Sequence, residues 1–89
     1  MIAREITVRG KVQGVFYRAW AKEKADTLGL FGWVMNMPDG SVGICIEGDE
    51  KAVQEMIDLC RQGPARARID LLDIKVTDSA DFRDFRIIR

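Results

Sequence analysis

Apolar and polar side chains alternate in some segments of this chain and recur with a helical period in two others. Within residues 5–12 every second position is apolar or glycine, which predicts a strand with one buried face. Within residues 17–28 the apolar side chains instead recur every three or four positions, and Gly29 follows as a candidate C-cap. The pattern therefore begins with a strand and a helix.

The middle of the chain predicts a β-hairpin and a second helix. Residues 31–37 and 41–46 are predicted as strands, and the Pro-Asp-Gly sequence between them suits a type I turn closed by a glycine. Beyond Asp49, a candidate N-cap, apolar residues at i, i+3, i+4 and i+7 predict a helix. The Gly-Pro pair at 63–64 ends it.

Two further strands complete the pattern. They are predicted at about residues 67–76 and 82–88, and a slip in apolar parity between Leu71 and Leu72 indicates a bulge or twist. The order strand-helix-strand-strand-helix-strand, plus one extra strand, is that of the ferredoxin-like split βαβ fold. We expect an α+β protein with two helices on one face of a mainly antiparallel sheet and a short extra C-terminal strand.

Length and charge narrow the class of protein. With 89 residues we expect one domain spanning 1–89, because shorter pieces would not each bury a core. Fourteen basic side chains balance fourteen acidic ones, so a general nucleic-acid-binding role is disfavoured. No signal-peptide or membrane-spanning pattern is present in these residues, which predicts a cytoplasmic protein with no membrane partner. A monomer is the simplest expectation.

The absence of histidine limits the chemistry. It excludes histidine general acid–base catalysis, Ser/His and Cys/His nucleophilic pairs and histidine-ligated zinc. Cys45 and Cys60 lack metal-ligand spacing. Cys60 falls on the apolar stripe of the second helix and is expected in the core, whereas Cys45 falls on the less apolar side of its strand. A disulfide between them is not expected in a reducing cytosol.

The turn before the first helix is a candidate anion site. A helix N-terminus presents unpaired N–H groups and the positive end of its dipole, and Gly14 allows close backbone approach. Arg18 adds a planar, permanently charged donor, although a cation near a helix N-terminus opposes the dipole. On spacing alone, a common glycine turn followed by a solvated arginine is the favoured interpretation of these residues.

Chain lengths place Asn36 at the same edge of the sheet. Residues 18–28 descend roughly 16 Å as a helix, and residues 31–36 climb back about 20 Å as a strand. Asn36 therefore returns to the level of Arg18, at the edge where open α/β sheets usually bind ligands. Its amide can donate and accept, which suits holding a water molecule. Ordinary turn chemistry before a Pro-Asp-Gly sequence is the alternative.

Two segments resemble signatures of the acylphosphatase family. Residues 10–18, GKVQGVFYR, are similar to the pattern G-x-V-Q-G-V-x-(F/Y)-R, and residues 32–42, GWVMNMPDGSV, are similar to G-W-V-x-N-x-x-D-G-x-V. The similarity spans essentially the whole chain. It implies hydrolysis of acyl phosphates to a carboxylate and inorganic phosphate, with no metal, no other cofactor and no covalent enzyme intermediate.

The resemblance also implies roles for individual residues. Arg18 would bind the phosphate and Asn36 would orient the attacking water. The phosphate would also be bound by backbone N–H groups of five consecutive residues, namely Gln13, Gly14, Val15, Phe16 and Tyr17. Met35, Met37 and Gly43 depart from residues common in the family. The identity of the acyl group stays open.

Two other functions compete with hydrolysis on this fold. A single-stranded RNA-binding module needs exposed aromatic side chains on its central strands, and residues 41–46 carry none. A regulatory module with the phosphate loop but no turnover is the second, since acylphosphatase-like domains occur in larger carbamoyl-transferring proteins. Among the remaining side chains, we expect Trp33 in the core, Trp20 partly exposed beside Arg18, and Arg83, Arg86 and Arg89 on a solvated strand edge.

Overall fold

The computed structural model describes residues 1–89 as seven regular elements in the predicted order. They are β1 (Ile2–Lys11), α1 (Tyr17–Leu28), β2 (Phe31–Asn36), β3 (Val42–Gly48), α2 (Glu50–Gln62), β4 (Arg68–Thr77) and β5 (Phe85–Ile88). The strands form one sheet in the order β4-β1-β3-β2-β5. Neighbours are antiparallel except for β5, which runs parallel to β2. The predicted ferredoxin-like α+β fold is confirmed.

Local sequence signals set the helix ends. Helix α1 stops at Gly29, whose φ of 70° is left-handed and whose N–H bonds back to the last turn. Helix α2 starts at Asp49, whose carboxylate accepts from the N–H of Lys51 at 3.2 Å, and it ends at Gly63. All three predicted caps are confirmed. Neither helix has the length and apolar character needed to cross a membrane.

The core lies between the helices and one face of the sheet. Its largest fully buried side chains include Tyr17 from α1, Ile6 and Ile44 from the central strands, and Met56 from α2. Cys60 belongs to this cluster, and its burial raises the pKa of the thiol to about 12. The predicted core position of Cys60 is confirmed.

No helix covers the opposite, open face of the sheet. Trp33 lies there, half-buried, because the period of β2 turns its neighbours Gly32 and Val34 towards the helices. The prediction that Trp33 is a core residue is therefore wrong. A Cβ on Gly43 would lie 3.1 Å from Sδ of Met37 and close to the Trp33 ring, so the unusual Gly43 and Met37 fit together.

Cys45 is buried on this open face, opposite Trp33 in β2 and Glu5 in β1. Desolvation raises the pKa of its thiol, and the charges of nearby Glu5 and Glu47 raise it further. Because Cys45 and Cys60 are on opposite faces, the sheet separates the two free thiols.

Strand β4 contains the irregularity that the parity slip predicted. Arg9 pairs with Leu71 while Gly10 pairs with Ile69, so Asp70 is the extra residue of a β-bulge. The bulge lies one residue before the slip at Leu71. Beyond it, residues 71–77 pair with β1 in regular register.

A buried carboxylate fixes the start of β5. Glu47, fully buried at the end of β3, accepts hydrogen bonds from the hydroxyl of Ser79 and the N–H of Ala80, both at 2.9 Å, and from the N–H of Phe82. Desolvation would raise the pKa of Glu47, but the three donors outweigh it and hold the pKa below its ordinary value. Residues 79–82 are thus a bound loop, and the strand begins at Phe85, three residues later than predicted.

Candidate active site

The backbone between β1 and α1 leaves a row of N–H groups without partners. Gly14 (φ 74°) and Phe16 (φ 65°, ψ 24°) are both left-handed, and Phe16 is the N-cap of α1 without a side-chain cap. The first helical bond runs from the N–H of Trp20 to the carbonyl of Phe16 at 3.0 Å. The N–H groups of residues 13–19 have no acceptor within the protein. Such a concave run of amides suits an anion.

The two helices differ at their N-termini. Helix α2 has Asp49 as its cap and Glu50 in its first turn, so carboxylates balance its dipole. Helix α1 has no acidic residue in its first turn. Its positive end is therefore left uncompensated by the protein itself.

Arg18 is the one side chain of that first turn able to add charge to the site. It is half-buried and makes no hydrogen bond or ion pair, whereas the ion-paired cations Arg9, Lys22, Arg68 and Arg86 all face carboxylates. With Gly14, Phe16, Tyr17 and Ala19 it lines a cleft of about 340 Å³. A free guanidinium beside free amides is a geometry suited to phosphate.

The side chains of the loop alternate between core and solvent. Val15 is buried, and Tyr17 is buried with its hydroxyl donating to the carbonyl of Cys60 at 2.9 Å. Burial raises the pKa of Tyr17, so this phenol stays protonated. The side chain of Phe16 is exposed at the rim of the cleft. Val15 and Tyr17 therefore have only their backbone N–H groups to offer a ligand.

Asn36 is the last residue of β2 and has the strand parity of Gly32 and Val34, which face the helices. It is half-buried, and its amide has no hydrogen-bond partner in the protein. It does not line the cleft of Arg18, but it lies at the same edge of the sheet. The parallel strand β5 establishes this, because Met35 is opposite Ile88 and the next residue, Arg89, lines that cleft.

The end of β5 is thus part of the site, which sequence reasoning missed. Ile87 and Arg89 both line the cleft. Arg86 instead pairs with Asp84 at 3.0 Å on the exposed edge. Arg83, Arg86 and Arg89 are all exposed, as expected, and Arg89 in addition lines the cleft. The pairing of β5 with β2 is non-local, so no local sequence signal announces this contribution.

A second feature missed from the sequence is the side chain of Gln13. Its Nε2 donates to the carbonyls of Met37 and Ser41, both at 2.8 Å. Those carbonyls belong to the turn that directly follows Asn36. Gln13 therefore joins the amide-rich loop to the end of β2 and sets the position of one relative to the other.

The turn itself is rigid. The N–H of Gly40 bonds to the carbonyl of Met37 at 3.1 Å, as predicted for a turn with proline second and glycine fourth. The carboxylate of Asp39 accepts from the hydroxyl of Ser41 at 2.6 Å, from its N–H at 2.9 Å and from Arg9 at 3.1 Å. These bonds, led by the Ser41 hydroxyl, lower the pKa of Asp39 to about 2. The Asp39 carboxylate therefore stays charged at physiological pH and keeps the turn fixed through these hydrogen bonds.

Replacing Gln13 with alanine will test this connection. The variant removes one of the two donors to each carbonyl, since the N–H groups of Gly40 and Met37 still bond to them, so we expect a loss of about 1 kcal/mol in unfolding free energy. We also expect about tenfold slower turnover, because the two halves of the site lose their fixed spacing. Urea unfolding and hydrolysis assays measure both. Gln62→Ala, at the exposed end of α2, is the matched control. Unchanged turnover in the Gln13 variant would contradict this role.

The fold and this edge of the sheet together define a class, a small ferredoxin-like protein whose first helix begins at a preformed amide loop beside a free arginine. The acylphosphatase family model matches residues 4–87. An acylphosphatase from Methylococcus capsulatus is 45% identical, covering 94% of this chain and 92% of its own. One from Acaryochloris marina is 40% identical, covering 100% and 96%. The chain belongs to the acylphosphatase family of hydrolases.

Solved structures agree with this assignment. The crystal structure of acylphosphatase from Bacillus subtilis is 32% identical, with a TM-score of 0.96 and full coverage of both chains. The crystal structure of full-length HypF in the phosphate- and nucleotide-bound form is 29% identical, with a TM-score of 0.93 over 99% of this chain and 12% of that one. The predicted family is confirmed, and acylphosphatase activity follows from membership of it.

Proposed function

We propose that the phosphoryl group of an acyl phosphate binds to the N–H groups of residues 13–17 and to Arg18. The observation that carries this proposal is the row of N–H groups without acceptors, next to a guanidinium without a carboxylate partner. Donors already in position stabilise charge without reorganising during the reaction. In the transition state the negative charge is spread over the three equatorial oxygens of the phosphoryl group, and in this proposal the donors bind those oxygens.

Asn36 orients the attacking water in this proposal. Its amide is free of protein partners, and it lies at the edge of the sheet that Arg89 and the loop share. The hydrogen bonds from Gln13 to the turn after Asn36 support a fixed spacing between amide and loop. A carboxamide can accept one hydrogen bond from the water and donate another to it, which fixes the direction of a lone pair.

The reaction is a single displacement at phosphorus. The water oxygen forms a bond to phosphorus while the bond from phosphorus to the acyl oxygen breaks, and the carboxylate leaves with that electron pair. A proton of the water passes to a phosphoryl oxygen, giving dihydrogen phosphate and the carboxylate. An acyl phosphate has a good leaving group, so positioning and charge stabilisation suffice. Burial keeps the thiols of Cys45 and Cys60 protonated, which argues against a thiolate nucleophile.

Hydrolysis of benzoyl phosphate in excess EDTA, followed by ultraviolet absorbance, tests the proposal. We expect rapid turnover by the wild type and no turnover of a phosphate monoester. Asn36→Ala should lose about 10²-fold in rate and keep its affinity for inorganic phosphate, because it does not bind the phosphoryl group. Gln54→Ala, on the exposed side of α2, is the control. Inhibition by EDTA, or equal rates in wild type and Asn36→Ala, would contradict the mechanism.

A binding module without useful turnover is the second candidate. The match to HypF favours it, since a segment this size is a minor part of that larger protein. The same assay separates the two functions. Folded wild-type protein that binds phosphate but does not hydrolyse benzoyl phosphate above background would place the binding module first.

A further inference from the structure

Strand β4 lies at one edge of the sheet and carries several exposed apolar side chains. Leu71, Ile74 and Val76 are 52%, 38% and 79% exposed. The strand pairs with β1 on one side only, and no backbone group on its other side bonds within the chain. A long, apolar strand edge of this kind is a template for pairing with another strand.

The regular part of β4 is self-complementary. Residues 71–77, between the bulge at Asp70 and the end of the strand, are centred on Ile74. When this segment pairs antiparallel with a copy of itself about that centre, Ile74 faces Ile74 of the second copy. Leu72 faces Val76, and Asp73 faces Lys75, each twice. Apolar residues thus meet on the helix side and opposite charges meet on the open side.

Neighbouring registers lack this complementarity. Because side chains alternate between the faces, the register can shift only in steps that keep parity. Centring the pair on Asp73 places two aspartates opposite each other, and centring it on Lys75 places two lysines opposite each other. Like charges directly opposite are destabilising in antiparallel pairs. The charge pattern therefore selects the register centred on Ile74.

We propose that two copies of this chain associate through β4 in that register, joining two five-stranded sheets into one of ten strands. The dimer covers the exposed Ile74 and Val76 side chains and satisfies the free backbone edge. This inference replaces the monomer expected from the sequence. It does not depend on the proposed function, because the two clefts lie at opposite ends of the joined sheet and both stay open.

The first test is sedimentation-velocity ultracentrifugation of the wild type and Val76→Lys from about 10 μM to about 1 mM, since small interfaces are weak. Val76 is largely exposed in the free chain, so a lysine there should shift the unfolding transition only slightly, through its position opposite Arg4 of β1. We expect the dissociation constant of the dimer to rise at least tenfold. Glu23→Lys, on the exposed side of α1, is the matched control and should not change it.

The second test is charge complementation. Asp73→Lys alone places a lysine opposite Lys75 of the second copy, and Lys75→Asp alone places an aspartate opposite Asp73, so each variant should be mainly monomeric. The double variant D73K/K75D restores opposite charges in the same register and should dimerise like the wild type. Circular dichroism and urea unfolding report whether each variant is folded. Hydrolysis is not used for this, because Asp73 accepts a hydrogen bond from Arg9, which also bonds to Asp39 in the turn after Asn36.

The proposal is overturned if the wild type stays monomeric across the whole concentration range. It is equally overturned if Val76→Lys dimerises as tightly as the wild type, which would place the contact elsewhere, for instance on β5. A double variant that remains monomeric while folded would reject the register centred on Ile74.

Discussion

Arg18→Ala will lower the rate of acyl phosphate hydrolysis by about 10²-fold or more, on the scale of removing a principal transition-state donor. It will also weaken the binding of inorganic phosphate, because the guanidinium is the only side-chain cation of the first turn of α1 and has no competing partner in the protein. Steady-state hydrolysis of benzoyl phosphate and calorimetric titration with phosphate measure the two effects.

The matched control is Arg66→Ala, which removes an exposed arginine in the turn before β4 that likewise has no ion pair. It should leave rate and phosphate affinity unchanged. Arg18→Lys keeps the charge but loses the planar pair of donors, so we expect it to recover only part of the rate. A wild-type kcat/KM in the Arg18→Ala variant would show that Arg18 is not part of the site.

Glu47→Gln will destabilise the fold by about 2 kcal/mol, since three donors lose a charged acceptor and a buried amide group must lie among them. The carboxylate has three donors from residues 79–82 and no contact with solvent. Urea unfolding at pH 7 measures the loss. Glu55→Gln, exposed on α2, is the control and should be neutral.

The destabilisation should depend on pH in a defined direction. The pKa of folded Glu47 is lowered, so its contribution is fully present above the unfolded value of about 4.3. It is lost as the pH falls through the lower, folded value, where wild type and variant both carry a neutral group. The difference in unfolding free energy should therefore shrink progressively as the pH falls below about 4.3. A difference that is constant over this range would mean that the charge of Glu47 contributes nothing.

The elements of this fold were predictable where their causes are local. The spacing of apolar residues predicted the order of strands and helices, and the Pro-Asp-Gly sequence predicted the hairpin turn at Pro38. The side chain of Asp49 and the glycine at position 29 set helix ends through neighbours only a few residues away. The bulge was predicted because an extra residue shifts the parity of every apolar position that follows it.

The features that were missed are those with distant partners. Glu47 looks in the sequence like a polar residue at a strand end, but its donors lie 32–35 residues further along the chain. The partners of Gln13 lie 24 and 28 residues away. Trp33 was misplaced because alternation alone does not say which face of a strand meets the helices. Nothing local to any of these residues specifies its partner.

The candidate site was predictable in its location. Helix and strand lengths placed Arg18 and Asn36 at one edge, and the pairing of β5 with β2 agrees with that edge. Their roles in binding and attack remain predictions. The position of Arg89 in the cleft could not be predicted from the sequence, since it depends on which strand pairs with β5.

The left-handed backbone at Gly14 and Phe16 shapes the loop before any ligand arrives. An anion that enters it meets ordered donors, so little conformational entropy is lost on binding. In the proposed function these donors bind both the phosphoryl group of the substrate and the phosphate that is released, and contacts made equally with reactant and transition state do not accelerate the reaction. Under that proposal the ordered loop binds inorganic phosphate as well as substrate, and we expect phosphate to act as a product inhibitor.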